Sequence, residues 1–444
     1  MVYIWQSPGW PAFRWSNDEL TAQLGAVRHE QGRLLGRVEA LGFKVREATL
    51  LQTLTQDVVK SSAIEGEQLD EQQVRSSLAW RLGIKIDGLV TPDRSVEGIV
   101  HVTLDATMNC REPLTAERLF SWHAALFPTG RDEWGQKLRV GAWRGDSGER
   151  MQVVSGSFGR EKVEYVAPPA NRLEAEMSAF LDFFNARAAV DPIIKAAVAH
   201  LWFVAIHPFD DGNGRITRAI ADMTLARADA GPQRLYSMSA AIAGARGDYY
   251  DALKATTTGQ NLDLTKWIKW FVDRLGRAVA NATATLDNVL FKANLWQANS
   301  ALDLNARQTK VLNRLLDGGF EGKLTSTKWA KLTKTSQDTA ARDIADLVAK
   351  GLLRKGEAGG RSTAYELSLP AQSNVDDIAG SAHDRYVMGQ PKSEVADDHD
   401  SRAAFISDLA GLLGEHINQR AAASGQTEVP QPNQPKQQKP RTGR

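Results

Sequence analysis

The chain has 444 residues, which at roughly 150 residues per domain suggests about three domains and excludes a single small scaffold. With 42% hydrophobic and 24% charged residues it can build substantial cores, so a chain disordered throughout is excluded. Lysine and arginine (54) balance aspartate and glutamate (53), so the overall charge indicates neither nucleic acid nor a cationic partner.

Three features predict the compartment. Cys110 is the single cysteine, which excludes an intramolecular disulfide framework and a cysteine-cluster metal site and fits a reducing compartment. Residues 1–8 lack the cationic and apolar segments of a secretory signal. The longest apolar run, 193–206, is interrupted by Lys195 and His200 and is shorter than the ~20 residues of a membrane span. We therefore expect a cytoplasmic protein without membrane contact.

An aromatic arm begins the chain, and amphipathic helices follow it. Residues 3–15 are rich in aromatic side chains and prolines, which predicts an irregular arm packed on the domain. Ser16 and Glu19 form a capping box for a helix that the apolar spacing carries to about residue 41. Further helices are predicted at 47–65, 96–108, 115–127, 172–184, 192–206, 217–228, 247–254 and 264–293. The chain is therefore mainly α.

Two regions interrupt or follow this helical pattern. Residues 152–155 and 163–166, separated by a turn with glycine, predict one β-hairpin. From residue 305 onward, three helices and two strands in the order of a winged helix-turn-helix are predicted at 307–316, 326–332, 337–350, 352–355 and 364–367. Beyond residue 370 the polar composition, rich in Gln and Pro at the end, predicts a largely disordered tail.

Residues 207–218 carry the strongest chemical signal. The apolar helix before them ends because Pro208 prevents its continuation, and a new helix is predicted from about Thr217. Gly212 and Gly214 let backbone N–H groups converge on a ligand, and the dipole of the following helix favours an anion. The segment is therefore predicted to bind phosphate.

Side chains of the same segment supply the reacting groups. Arg215 and Arg218 lie close on the predicted helix and can each bind phosphate oxygens. Asp211 can hold the hard cation that accompanies a polyphosphate, most simply Mg²⁺. His207 is the side chain of the segment whose pKa suits it to take a proton near neutrality.

This order of residues resembles the signature of Fic-domain proteins, His-Pro-Phe-x-Asp/Glu-Gly-Asn-Gly-Arg-x-x-Arg, and matches it at every defined position. The resemblance extends over about 60–290 and implies a Fic-type helical core with a β-hairpin flap. The family moves AMP from ATP to hydroxyl side chains of proteins. The resemblance therefore implies an adenylyltransferase that uses ATP as substrate and Mg²⁺ as cofactor. It would modify a hydroxyl-bearing target protein and release pyrophosphate.

The resemblance also assigns roles within the segment. His207 would deprotonate the acceptor Ser, Thr or Tyr, and Asp211 would hold Mg²⁺ on the α- and β-phosphates. Tyr250, in a Tyr-Tyr pair that lies near the adenine in relatives, would contact the base, or serve only the core. Many relatives carry an Asn where Thr257 stands, which weakens the prediction of a purine donor. The nucleotide-binding set implied is Gly212, Asn213, Gly214, Arg215, Arg218 and Tyr250.

A second match lies ahead of the core. Residues 61–66 resemble the inhibitory motif of the family, Ser/Thr-x-x-x-Glu-Gly/Asn, with Ser61 and Glu65 on one helical face. A carboxylate directed into the phosphate site would pair with Arg218 and remove the γ-phosphate contact. The resemblance thus implies an autoinhibited enzyme, whose hairpin resembles the Fic flap that holds an extended target segment by β-augmentation.

The resulting organisation has four parts: an N-terminal helical domain with the inhibitory helix (1–85), a Fic core (86–295), a winged helix-turn-helix (300–370) and the tail (371–444). Two alternatives to AMP transfer remain, namely the same site with another nucleotide donor or removing AMP, and a winged-helix regulator whose core only senses nucleotide. A homo-oligomer is compatible with all of them.

The winged region leaves its partner open. Arg342, Arg354, Lys355 and Arg361 lie on the predicted recognition helix and wing, so DNA contact is sterically reasonable. The same helix carries Asp338, Asp343 and Asp346, which would face DNA phosphates badly. A protein-interaction or dimerisation role is therefore favoured over DNA.

Overall fold

The computed structural model describes residues 2–39, 43–86, 88–132, 135–146, 150–155, 162–187, 190–229, 234–316, 322–356 and 363–368. The predicted disordered tail, 371–444, and Arg361 lie outside these residues. None of the described helices combines the length and apolar character needed to cross a bilayer.

The described chain is mainly helical, with two short antiparallel hairpins. The first eight helices are α1 (Asn17–Glu39), α2 (Phe43–Ile64), α3 (Glu71–Leu82), α4 (Arg94–Met108), α5 (Ala116–Leu126), α6 (Leu173–Asn185), α7 (Pro192–Ile206) and α8 (Asn213–Ala228). The next six are α9 (Met238–Ala243), α10 (Arg246–Thr257), α11 (Thr265–Ala298), α12 (Ala306–Leu316), α13 (Ser326–Thr333) and α14 (Gln337–Ala349). The strands are β1 (Gln152–Ser155), β2 (Lys162–Val166), β3 (Leu353–Lys355) and β4 (Tyr365–Leu367).

Helix α7 is the centre of the larger core. Asp191 caps its N-terminus by accepting hydrogen bonds from the N–H groups of Ile193 and Ile194, and Pro192 occupies the first turn. Twelve of its fifteen residues are buried, because a helix that is apolar on all sides must be enclosed by others. It packs against α6, α8 and α11, so the α7–α8 connection is held on a rigid base.

The N-terminal arm is part of this core, as the aromatic pattern predicted. Trp5 donates a hydrogen bond from Nε1 to the carbonyl of Val166 (2.7 Å), and Tyr3 packs edge-on against Tyr165 with ring centroids 5.1 Å apart. Both partners belong to β2. The arm therefore supports the β1–β2 hairpin from behind.

Most predicted helices are confirmed, and the differences have local causes. Helix α8 begins at Asn213 rather than near Thr217, because Gly212 adopts a left-handed conformation (φ 76°) that starts the helix directly after the turn. Helix α3 was missed because serines share its buried face with apolar residues, which hides the amphipathic pattern. Helix α9 was missed because it has only six residues.

The C-terminal helices and strands follow the order predicted for a winged helix-turn-helix and have their own hydrophobic core around Trp329 and Ile344. One acid of α14, Asp343, does not face outward as expected, whereas the side chain of Asp346 is 44% exposed and paired. Asp343 is buried and accepts hydrogen bonds from Arg307 Nε (2.8 Å) and Nη2 (2.9 Å), while Asp346 accepts from Lys350 Nζ (2.7 Å). The assignment as a winged helix stays a prediction.

Candidate active site

An arginine from an earlier loop forms hydrogen bonds to the connection between α7 and α8. His207 ends α7 in a left-handed conformation (φ 51°) that few non-glycine residues adopt. Arg144 stabilises this turn, because its Nε donates to the carbonyl of His207 (2.8 Å) and its backbone N–H donates to the carbonyl of Pro208 (2.8 Å). The position of the histidine is thus set by the backbone on both sides of it.

The next residues anchor the connection in the core. Phe209 is fully buried and stacks on His123, with ring centroids 4.3 Å apart and an interplanar angle of 11°. The amide of Asn213 donates to the carbonyl of Phe209 (2.8 Å), and its Oδ1 accepts from the Phe209 N–H (3.0 Å). Both ends of the Asn213 amide therefore hold the turn closed, a role that the sequence did not predict for a phosphate-binding residue.

The N-terminus of α8 presents the predicted anion site, and a carboxylate from α2 lies in it. The first backbone N–H of α8 with a helical hydrogen bond is that of Ile216, which donates to the carbonyl of Gly212 (3.1 Å). The N–H groups before it lie at the positive end of the helix dipole. Glu65 Oε1 lies only 2.1 Å from the position that a Cβ on Gly214 would take. The absence of a side chain at Gly214 is what gives this space to a carboxylate.

Three hydrogen bonds join Arg218 to the end of α2. Its Nη1 donates to Glu65 Oε1 (2.7 Å), its Nε to Ser61 Oγ (2.9 Å) and its Nη2 to the carbonyl of Ser61 (2.8 Å). Burial has the largest single effect and opposes the charge of Arg218, but Glu65 together with Tyr249 and Tyr250 exceeds it, so the pKa of the guanidinium lies above its ordinary value. Ser61 in the last turn of α2 and Glu65 directly after the helix thus occupy all three guanidinium nitrogens of Arg218.

Arg215 has an equivalent partner that the sequence reasoning missed. Its Nη1 lies 3.0 Å from Glu67 Oε2, and its guanidinium carbon lies 5.0 Å above the ring centroid of Phe127. Gly66 has φ 99°, a conformation that favours glycine and turns the chain so that Glu67 follows Glu65 into the site. The signal available in the sequence was the short spacing of the two glutamates around a glycine.

His207 is neutral in these surroundings. Burial lowers its pKa to about 4, and the nearby positive charge of Arg144 acts in the same direction. Nδ1 lies 3.3 Å from the carbonyl of Val204, and because a carbonyl only accepts, Nδ1 carries the ring proton. Nε2 therefore has the free lone pair that a general base needs.

Asp211 is the carboxylate of the turn that could hold a cation. It is exposed, and its Oδ1 accepts the N–H of Gly212 (2.5 Å). Partial desolvation raises its pKa above the ordinary value, and the negative charge of Glu65 adds to this effect. Within the described ranges no three His, Cys, Asp or Glu side chains form a ready-made metal site. One exposed carboxylate fits a metal whose remaining ligands are phosphates and water.

A cleft of about 590 Å³ opens beside these groups. Its walls include His207, Gly214 and Glu65 on one side and the β1–β2 hairpin on another. Tyr250 also lines it, is 41% exposed, and donates from its hydroxyl to the carbonyl of Ile64 (3.2 Å). The predicted base-contact residue therefore lies in the cleft and contacts the end of the predicted inhibitory helix.

Comparison with known proteins agrees with this geometry. The Fic/DOC family matches residues 113–225, which include α5 to the greater part of α8 and the whole 207–218 segment. Residues 113–225 form a Fic/DOC domain. A domain family of unknown function, DUF4172, matches residues 3–84 ahead of the Fic domain.

Curated relatives of the Fic domain are named as transferases. The chain is 27% identical to Protein adenylyltransferase fic-1 of Caenorhabditis briggsae over 225 residues, 48% of this chain and 38% of that protein. It is 26% identical to Protein adenylyltransferase Fic of Culex quinquefasciatus over 54% of this chain and 43% of that protein. A Uridine 5'-monophosphate transferase of Xanthomonas campestris is 31% identical over 26% of this chain and 21% of that protein. The chain thus spans less than half the length of these relatives.

Two solved structures are also similar. A Fic family protein from Desulfovibrio desulfuricans G20 superimposes with a TM-score of 0.44 and 20% identity, covering 79% of this chain and 97% of that one. A Fic domain containing signaling protein from Bacteroides thetaiotaomicron gives 0.45 and 17%, covering 59% and 96%.

Beside the Fic signature, a buried ion network fixes the middle of α2. Arg234 lies between two carboxylates, with Nη2 3.2 Å from Asp57 Oδ2 and Nη1 2.7 Å from Asp222 Oδ1. Asp57 also accepts from Ser237 Oγ (2.5 Å) and from the N–H of Ser239 (3.2 Å). The network joins α2 to α8 and α9, and the sequence carried no signal for it beyond isolated charges.

Proposed function

We propose that the protein is an adenylyltransferase that moves AMP from ATP to a Ser, Thr or Tyr hydroxyl of a protein, including itself, and that Glu65 holds it in check. The observation that carries the proposal is the Glu65 carboxylate at the N-terminus of α8, bonded to Arg218 and seated over Gly214. This is where the Fic resemblance implies the terminal phosphates of ATP. Relatives named protein adenylyltransferase support the chemistry.

The chemical step uses His207 as the base. Its neutral ring, with pKa near 4, takes the proton of the acceptor hydroxyl on Nε2. The hydroxyl oxygen forms a bond to the α-phosphorus, the bond from that phosphorus to the bridging oxygen breaks, and pyrophosphate leaves with the electron pair. The left-handed turn at His207, held by Arg144, keeps the ring at the cleft throughout.

The phosphates bind the N-terminus of α8. The N–H of Gly214 and the helix dipole stabilise charge on the α- and β-phosphates, and the N–H of Gly212 joins them once Asp211 Oδ1 releases it. Asn213 contributes by holding the turn closed. Arg215 and Arg218 bind the β- and γ-phosphates once their glutamates have left. Asp211 would hold Mg²⁺, which supplies charge neutralisation of the phosphates when bound.

Glu65 restrains this reaction by competing with the terminal phosphate for the same groups. Arg218 is 2% exposed, so it cannot turn to water, and it meets a phosphate only when Glu65 withdraws. The Glu65 side chain is 33% exposed and has that freedom. ATP bound beside Glu65 would lack the contact that orders its phosphates for attack.

The proposal is tested by incubating the purified chain with Mg²⁺ and ATP radiolabelled at the α-phosphate. Glu65→Gly should raise self-labelling roughly 5- to 150-fold, the range that a coupling of ~1–3 kcal/mol produces. His207→Ala in the Glu65→Gly chain should lower it about 10²- to 10⁴-fold, as loss of a general base does. Intact-mass spectrometry should show a gain of one AMP.

The matched control is Glu71→Gln, which removes a negative charge at an exposed residue of α3, outside the cleft lining. Its labelling should equal that of the unaltered chain. Unchanged labelling in Glu65→Gly would contradict the restraint, whereas tight ATP binding without any covalent change would favour a nucleotide sensor over a transferase.

A second candidate keeps the site and changes the donor. Thr257 Oγ1 donates to the carbonyl of Leu253 within α10 (2.8 Å), so the hydroxyl is already engaged in its own helix. A relative named Uridine 5'-monophosphate transferase shares 31% identity over part of the chain. Incubating Glu65→Gly with UTP and with ATP in parallel distinguishes the donors, because the adduct masses of UMP and AMP differ.

The β1–β2 hairpin is the proposed docking edge for the target. Val154 and Val163 are 50% and 39% exposed on it, and its strands line the same cleft as His207. An extended segment that adds to this edge would bring a hydroxyl toward the histidine.

A further inference from the structure

The C-terminal helices and strands carry a cationic surface that the Fic chemistry does not use. Within residues 322–356 and 363–368, seven lysines and arginines are exposed, and two acids, Asp338 and Glu366, are exposed with them. The seven, defined here as the cationic surface, are Lys323, Lys328, Lys331, Lys334, Arg342, Arg354 and Lys355. These described residues therefore carry an excess of exposed positive charge within a nearly neutral whole chain.

The excess arises because one further acid of α14, Asp343, is buried, and another, Asp346, is 44% exposed at its side chain but paired with Lys350. Asp343 is 7% exposed at its side chain and pairs with Arg307 of α12. Asp346 accepts from Gln308 Nε2 and from Lys350 Nζ (both 2.7 Å). Burial removes the charge of Asp343 from the outer face of α14, and the charge of the exposed Asp346 carboxylate is balanced by Lys350.

The backbone around this face has the form that enters a DNA groove. Helices α13 and α14 are joined by three residues, of which Lys334 is left-handed (φ 54°) and Ser336 caps α14 by accepting the N–H of Thr339 (3.2 Å). The outer face of α14 exposes the small side chains of Ala341 and Ala345 on either side of Arg342. Small residues permit the close approach of a helix to base edges.

We propose that this surface binds duplex DNA, with the outer face of α14 in the major groove and the cations of α13 and β3 on the flanking phosphates. Arg342 and Gln337, exposed near the start of α14, are placed for base edges, since the first turns of a recognition helix make those contacts. Lys328, Arg354 and Lys355 are exposed and are assigned to the backbone. Arg354 Nη2 lies 3.4 Å from Glu366 Oε2, but both side chains are more than half exposed, so a phosphate can replace this carboxylate. The proposal is independent of AMP transfer.

The test is fluorescence anisotropy of a labelled random-sequence 20-base-pair duplex with the full chain. Neutralising about five phosphates predicts a slope near −4.5 for the logarithm of affinity against the logarithm of salt, a loss of about 500-fold between ~50 and ~200 mM. Arg354→Glu/Lys355→Glu should weaken binding by at least about tenfold and reduce the slope by about 2. Ala345→Glu should weaken it comparably, because it places a carboxylate in the groove without removing a cation.

The matched control is Lys85→Glu/Lys266→Glu, which makes the same charge change at two exposed lysines outside the C-terminal helices. It should bind as the unaltered chain does, and Tm should be the same for all these surface variants. Absence of binding at ~50 mM salt, or equal losses in both double variants, would overturn the proposal. Equal affinity for duplex RNA would also overturn it, since the narrow major groove of A-form RNA does not admit a helix.

Discussion

Helix α2 carries two ion pairs of opposite character. At its centre Asp57 meets Arg234, with side chains 3% and 1% exposed. At its end Glu65 meets Arg218, and although the arginine is 2% exposed, the glutamate is 33% exposed. In each pair a buried guanidinium from elsewhere in the chain binds a carboxylate of α2, but water reaches only the second carboxylate substantially.

This difference in exposure indicates which part of the α2 region can move. Asp57 is enclosed and cannot reach solvent, whereas Glu65 can rotate into solvent and leave Arg218 on its two bonds to Ser61. Withdrawal of Glu65 therefore needs no departure of α2. We expect relief of the proposed inhibition to be confined to the residues around Gly66.

The strongest test of this contrast is the stability of Asp57→Ala beside Glu65→Ala. Asp57→Ala should lower the free energy of unfolding by about 3–5 kcal/mol, because it leaves buried donors of Arg234, Ser237 and Ser239 without their acceptor, although Asp222 still balances the charge of Arg234. Glu65→Ala should cost less, about 1–2 kcal/mol, because loss of this partly exposed side chain opens Nη1 of Arg218 to water from the cleft, while Ser61 keeps its bonds to the other two nitrogens. Urea unfolding followed by circular dichroism measures both, and equal losses would show that the two pairs anchor α2 alike.

The next prediction concerns stability at acidic pH, because the core beside Arg218 contains a histidine that stays neutral in the folded chain. Burial lowers the pKa of His200 to about 3, and the charge of Arg218 acts in the same direction. In the unfolded chain His200 therefore binds a proton near pH 6.5, whereas in the folded chain it stays neutral at this pH. The free energy of unfolding falls as the pH drops through this value. Between pH 7 and 5 the loss from His200 is about 2 kcal/mol.

The check compares His200→Gln with the unaltered chain by urea unfolding at pH 7, 6 and 5. The variant should lose about 2 kcal/mol less over this range, whatever its stability at pH 7. The difference between chains is the measure because Asp229, whose pKa burial raises to about 6, acts in the opposite direction in both. Parallel pH profiles would contradict a neutral, buried His200.

The smallest expected effect concerns Glu67, the second glutamate of the site. It is 28% exposed and pairs with Arg215, so it competes with phosphate as Glu65 does, but more weakly. In a His207→Ala background, Glu67→Gln should tighten ATP binding about 2- to 5-fold, as an exposed pair worth up to ~1 kcal/mol allows, and change stability by less than that. Calorimetric titration measures the Kd, with Glu71→Gln as control, and an unchanged Kd would show that Glu67 does not compete.

Local signals made much of the fold predictable. The apolar run of α7, its Asp191 cap and the Pro208 stop define one helix without reference to the rest of the chain. The β1–β2 hairpin followed from two short runs of residues on either side of a turn that contains glycine. The start of α8 was placed four residues too late, because Gly212 and Gly214 are typical of loops and only the folded backbone shows Gly212 beginning the helix.

The amino-acid sequence by itself determined the chemistry of the 207–218 segment, since its base, carboxylate, glycines and arginines are neighbours along the chain. Only the tertiary structure decided which charges meet. Glu65 and Arg218 are 153 residues apart, and Glu67 and Arg215 are 148 apart, so their pairing depends on how α2 packs against α8. Likewise, the side on which Asp343 lies depends on α12. The linear sequence does not specify which charges pair, because electrostatic attraction depends on distance in the folded chain. Its strength also depends on how deeply each carboxylate is buried.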